Sequence, residues 1–157
     1  MRKRSKYRPK NVLANPMGYV IESMTPVALY ESFALDLKIT NHMAMTTLTQ
    51  GNATKADINV LINALNITES LWRLGFGKEY RNVVDVGIRA LRAVGKRGLD
   101  TDKFALEPDE ADALNEAMEL HDAQLEIITV GDMERAVRIV RDEVRYKRAT
   151  PIQEKKT

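Results

Sequence analysis

The chain predicts an all-α fold: a single bundle-like domain of about five helices behind an extended basic N-terminal segment. Three observations carry that prediction. Apolar residues recur at 3-4 spacing through most of residues 25–148. The breaks between these runs are short and made of Gly, Pro and helix-capping residues. The length of 157 residues fits one domain, which at that size buries roughly 70% of its unfolded-chain surface without cross-links. The expected organisation is a basic tail and extended lead-in over 1–24, a helical domain over 25–148 and a polar tail over 149–157.

Residues 1–24 contain Pro9, Pro16 and Gly18 and hold no sustained period. Val12, Leu13, Met17, Tyr19, Val20 and Ile21 are expected to dock this segment on the core. Thr25-Pro26 then reads as an N-cap followed by proline at the first helical position. The first helix carries Tyr30, Phe33, Ala34, Leu37, Ala44, Met45 and Leu48 on its buried side and stops at Gly51. Thr54 and Asp57 form a capping-box start for the second helix, with Asp in place of the usual Glu. Its stripe is Ile58, Leu61, Ile62, Leu65 and Trp72.

Leu74-Gly75-Phe76-Gly77 predicts a turn. A third helix follows from about Glu79 to Val94, with Tyr80, Val83, Val84, Ile88 and Leu91 inward. Gly87 lies on that stripe; a mid-helix glycine costs about 1 kcal/mol against alanine, which points to close approach of another helix there. Gly95-Lys96-Arg97-Gly98 reads as a basic loop and Lys103–Leu106 as a short extended piece. Pro108 opens the fourth helix. Val130-Gly131 separates it from a fifth, which Thr129 and Asp132 cap and which ends near Arg148.

The fourth helix is the most informative. Ala111, Leu114, Met118, His121, Leu125 and Ile128 form an unbroken apolar line interrupted only by the histidine. Asp109, Asp112, Glu116, Glu119 and Glu126 repeat the spacing two residues out of step, about 200° around the helix. Leu114, Met118, His121 and Leu125 thus make a coiled-coil-like seam, within the bundle or between subunits of a homo-oligomer. His121 reads as a core histidine with one hydrogen-bonded nitrogen, or as a pH-sensitive contact across a two-fold axis. The acidic row is a solvated face offset by Arg89, Arg92, Lys96, Arg97 or the last helix's arginines, or a docking face for a basic protein.

The net charge of +2 conceals segregation. Arg2, Lys3, Arg4, Lys6, Arg8 and Lys10 give the first ten residues +6, and residues 135–157 carry +5. Residues 11–134 carry −9, and 100–134 hold twelve acids against Lys103 alone. In the fifth helix Met133, Ala136, Val137, Val140 and Val144 lie on one side, and Arg138, Arg141, Arg145 and Arg148 form a stripe of their own at 3-4-3 spacing. Glu134 is expected to pair with Arg138 and Glu143 with Lys147, four residues apart, leaving Arg141, Arg145 and Arg148 for an outside anion. Clustered Lys and Arg reward phosphates, and Tyr7 within the N-terminal run offers a stacking ring. The competing readings of that run are a solubility tail and a nuclear-import signal.

Several chemistries are excluded. With no cysteine there is no disulfide, thiolate metal site or thiol nucleophile. Phosphate-loop, dinucleotide, nucleophile-elbow and zinc-protease motifs are absent. A ferritin-type di-metal site needs Glu-x-x-His on two helices, and neither His42 nor His121 has a Glu three residues before it. No cofactor is expected. A helix-turn-helix around Gly51-Asn52-Ala53 would present Lys55, Asn59, Asn63 and Asn66, but with Asp57 and Glu69 beside them. No apolar run approaches the roughly 18 residues of a membrane span. A cytoplasmic protein is expected.

Three stretches, RPKNVLANPMGYVIESMTPV, LTQGNATKADINVLINALNITESLWRLGFGKEY and LHDAQLEIITVGDMERAV, resemble small helical proteins carried by bacterial prophages and plasmids. The resemblance implies a mobile-element accessory protein in a bacterial cytoplasm and transfers no functional residue. Together these readings predict a non-enzymatic regulatory protein that binds an anionic macromolecule, nucleic acid first, through the N-terminal run and Arg141, Arg145 and Arg148. The alternative is a protein-binding inhibitor or adaptor that uses the acidic row.

Overall fold

The computed structural model describes residues 16–146 together with Arg148 and Ile152. Those residues form six helices and no strand: α1 (Pro16–Ser23), α2 (Glu31–Thr49), α3 (Lys55–Leu74), α4 (Arg81–Thr101), α5 (Pro108–Ile127) and α6 (Val130–Arg145). The all-α expectation holds. The count differs because α1 is a helix where an extended lead-in was expected. The run from Arg2 to Lys10, Tyr7, Val12 and Leu13 lie outside the described residues.

α3 is the central helix and packs against α2, α4, α5 and α6. Its ends are set by local chemistry. The Thr54 backbone N–H donates to Asp57 Oδ2 at 2.8 Å, and the Asp57 N–H donates to Thr54 Oγ1 at 3.4 Å, the predicted capping box. Those bonds hold the Asp57 carboxyl below its ordinary range, the Thr54 backbone bond contributing most. At the other end Gly75 (φ 111°) and Gly77 (φ 76°) take left-handed backbone that lets the chain reverse into α4. A second box, Thr129 with Asp132, opens α6.

Two apolar clusters fill the molecule. One joins Met45, Leu48, Leu61, Leu65, Leu91, Val94, Phe104, Leu114 and Met118; the other joins Val27, Leu71, Leu125, Ile128, Met133 and Ala136. Gly87 marks the close crossing of α4 over α5: a Cβ there would sit 2.6 Å from the Ala117 Cβ.

Two expected boundaries move, both for tertiary reasons. Pro26 does not begin a helix; its backbone is extended (ψ 137°) and bridges Thr129, with Val27 N–H donating to Ile128 O and Val130 N–H to Thr25 O, each at 2.9 Å. α2 starts only at Glu31, after a single 3-10 turn over Val27–Leu29. Gly95–Gly98 is not a loop but continues α4. Gly95 and Gly98 are buried, beneath Ile152 and the Phe104 ring respectively, and Arg97 reaches across to Glu110 and to Ala105 O. The extended piece at 103–106 is an isolated bridge, Phe104 to Ala53.

Docking of the lead-in on the core is not what the described part does. Met17, Tyr19, Val20 and Ile21 are exposed, although α1 itself lies against α6 and the Tyr19 hydroxyl donates to Glu134 Oε2 at 2.8 Å.

Candidate nucleic-acid interface

α6 faces the 3-10 turn over Val27–Leu29 and the first turn of α2. Between them lies a groove of about 680 Å³, lined by Val27, Tyr30 and Phe33 on one side and Met133, Val137, Arg138 and Arg141 on the other, with the carboxylates Glu22 and Glu134 also on its walls. Burial of Ala34 on α2 and Ala136 on α6 turns their neighbours Phe33 and Val137 toward the groove mouth. Tyr30 and Phe33, expected inside, are 43% and 52% exposed. Sequence periodicity placed these rings on the core stripe, and no local signal moves them off it. Tyr30 closes the 3-10 turn instead of lying within α2, and Phe33 sits beside the buried stripe of Ala34, Asn41, Met45 and Leu48.

Arg138, Arg141 and Arg145 are exposed and have no ion pair among the described residues. The expected Glu134–Arg138 pair is not formed, since Glu134 accepts from Tyr19 instead. Lys147, the expected partner of Glu143, lies outside the described residues. Glu143 is held by Arg73 and by Arg148, whose Nε lies 3.5 Å from Glu143 Oε2. Arg148 also stacks over the Tyr146 ring at 5.3 Å. It is therefore an engaged cation, a correction to its expected freedom.

The acidic row of α5 is split. Asp109, Asp112, Glu116 and Glu119 are exposed without an ion pair among the described residues, whereas Glu126 is paired with Lys38 of α2. Arg97, one of the cations expected to offset the row, instead binds Glu110, which the guanidinium holds below the usual carboxylate range.

The predicted seam lies inside this chain. Leu114, Met118, His121 and Leu125 are each 2% exposed or less, packed against the chain's own helices, so they are not available to a second copy. His121 Nδ1 lies 2.9 Å from Thr68 Oγ1 of α3, while Nε2 is buried with no hydrogen-bond partner. Burial pushes its pKa down to about 4. Neither groove described here includes it among its walls. Among the described residues no group of three His, Asp or Glu side chains is placed to hold a metal ion.

A short connection at 50–54 joins α2 to α3, yet α3 is the packed centre of the bundle. A recognition helix must protrude to enter a major groove about 12 Å wide. Asn59, Asn63 and Asn66 instead look into a cleft shared with α4. No helix among the described residues is long and apolar enough to cross a membrane. No protein-family model, curated protein or solved structure matches the chain.

Proposed function

We propose that the protein is a non-enzymatic accessory protein, of a bacterial mobile element and cytoplasmic, that binds single-stranded nucleic acid along the α2–α6 groove. One observation carries the reading: Arg138 and Arg141, with no ion pair among the described residues, share a groove with two exposed rings, Tyr30 and Phe33. Guanidinium groups neutralise phosphates, and exposed rings stack on bases whatever the sequence. Arg145 extends the cationic line one turn further, and the N-terminal run from Arg2 to Lys10 adds phosphate contacts.

Binding of labelled oligo(dT) and oligo(U) at two salt concentrations tests this. Arg138→Gln with Arg141→Gln is expected to reduce the salt slope by about 1.4, two contacts at about 0.7 each for a single strand. Phe33→Ala is expected to weaken binding by at least fivefold, the low end of stacking at about 1 kcal/mol per base. Absence of binding by the intact chain, or affinities unchanged in both variants, overturns the reading. The acidic face of α5 then becomes the leading surface, with a basic protein as its partner, because four of its five carboxylates stand exposed with no ion pair among the described residues.

The proposed oligomer is a dimer through the outer face of α2. Leu35, Ile39 and Met43 lie four residues apart on that face and are all exposed, an apolar helix stripe of the kind that pairs with its own copy. Met24 and Leu29 add exposed apolar surface nearby in the chain. Ile39→Glu is expected to convert a dimer to a monomer in light scattering at about 100 µM. An intact chain that is already monomeric there removes the proposal.

A further inference from the structure

A second groove, of about 790 Å³, runs between α3 and α4 and lies on residues that the nucleic-acid reading does not use. Its floor is apolar, from Ile62 and Leu65 of α3 and Ile88 and Leu91 of α4. Along one wall stand Asn59, Asn63 and Asn66, with no hydrogen-bond partner for their carboxamides among the described residues. Asparagine is among the weaker helix formers, so three on one helix face work against α3 unless something outside uses them. On the facing wall Arg89 and Arg92 are exposed and have no ion pair among the described residues. The groove's own carboxylates are already engaged: Glu69 and Glu143 with Arg73, and Asp85 with Arg81.

A carboxamide offers a donor and an acceptor together, the same pair that a peptide unit presents. Asn59 to Asn66 spans about 10 Å at 1.5 Å per residue. Alternate units of an extended peptide over three such contacts span about 13 Å, a gap that side-chain rotation closes. Every second side chain of such a peptide would then point into the apolar floor, and the others toward Arg89 and Arg92. One described residue from beyond α6 already lies at this groove: Ile152 is seated on buried Gly95, where a Cβ would come within 2.6 Å of its Cδ1. The groove keeps its volume with Ile152 in place.

We infer that the α3–α4 groove is a docking site for an extended peptide segment of a partner protein, acidic and apolar at alternate positions. The three asparagines bind its main chain, the floor takes its apolar side chains, and Arg89 and Arg92 select acidic ones. The length of α3 along the groove, about 27 Å at 1.5 Å per residue, accommodates roughly eight extended residues.

Selection of a displayed random dodecapeptide library against the full chain tests it. The expected result is enrichment of peptides with acidic residues alternating with apolar ones. A synthetic copy of the best of them should bind about tenfold more weakly to Asn63→Ala and to Arg92→Gln. Both positions are exposed, and circular dichroism checks that the fold is kept. Oligo(dT) of twelve nucleotides should not displace the peptide, and Arg138→Gln with Arg141→Gln should leave it bound, which separates this site from the nucleic-acid groove. No enrichment, enrichment of basic peptides, unchanged affinity in both variants, or displacement by oligo(dT) that is itself weakened by Asn63→Ala overturns the inference.

Discussion

Gly98→Ala is expected to destabilise the protein by about 3 kcal/mol, the upper part of the overpacking range. In an isolated helix the same change would favour folding by about 1 kcal/mol. The reversal of sign comes from Phe104. A Cβ on Gly98 would lie 2.0 Å from Phe104 Cδ1 and 2.2 Å from Cε1, well inside contact distance. The ring is 5% exposed, sits in the larger apolar cluster and belongs to a residue whose backbone bridges Ala53, so it has no free direction of retreat. Either the ring leaves its seat or α4 moves away from the 102–107 connection. At this chain length each kcal/mol moves the melting temperature by about 2–4 °C, which puts the drop near 6–12 °C. A double-mutant cycle isolates the cause. Phe104→Ala alone should cost about 3–5 kcal/mol, and adding Gly98→Ala to it should cost nothing or stabilise slightly. If Gly98→Ala by itself raises the melting temperature, this packing account is wrong.

The same contact explains where sequence reading stops. Gly95-Lys96-Arg97-Gly98 has the composition of a loop, and nothing local argues otherwise. It is helical because Ile152, Phe104 and Glu110, contributed by later parts of the chain, each occupy one of its positions. Elements whose determinants are local were legible. The Thr54–Asp57 and Thr129–Asp132 boxes set the starts of α3 and α6 as expected. The α5 line from Leu114 to Ile128 is buried at each of its expected positions after Ala111, because a 3-4 repeat fixes a face without reference to neighbours. The start of α2 was not legible, since a backbone bridge from Pro26 to Thr129 holds the preceding residues extended. Tyr30 thereby falls outside α2, and with Phe33 it stands at the surface as a ring of the candidate interface.

Charge pairing divided in the same way. Arg141 and Arg145 keep the exposure that spacing implied and have no ion pair among the described residues. Glu126 found Lys38, eighty-eight residues earlier in the chain, and Arg148 found Glu143 at a separation outside the helical i+4 rule. Residues that pair across the fold cannot be sorted from a one-dimensional charge map, and i,i+4 spacing alone does not suffice either, since Glu134 accepts from Tyr19 rather than pairing with Arg138.

Acid should weaken the fold in two steps, and His121 accounts for the first. The imidazole is buried beside Thr68 and is driven down to about 4 chiefly by burial; Asp122 pulls it up, while His42 and Lys38 push it down further. In the unfolded chain the same ring titrates near 6.5. Its folded pKa is therefore the lower one, so between these values the unfolded state binds the extra proton and stability rises with pH. The contribution is complete above about pH 6.5, falls as pH drops toward 4 and amounts to roughly 3 kcal/mol. Glu110, held down first by Arg97, and Asp57, held down first by the Thr54 backbone, act in a different window. Their stabilisation is present above the ordinary carboxylate range and is lost only below about pH 4.5, as the solution passes through their depressed folded values. Urea unfolding of the intact chain at pH 7.0 and 4.5 should show a loss of about 2–3 kcal/mol. His121→Leu should remove most of that difference. Its cost at neutral pH should stay below about 1.5 kcal/mol, since leucine is close in volume and the Thr68 hydroxyl keeps its bond to Ala64 O at 3.0 Å. An intact chain equally stable at the two pH values, or a His121→Leu chain that keeps the full loss, would show that the ring is protonated without opening the α3–α5 seam.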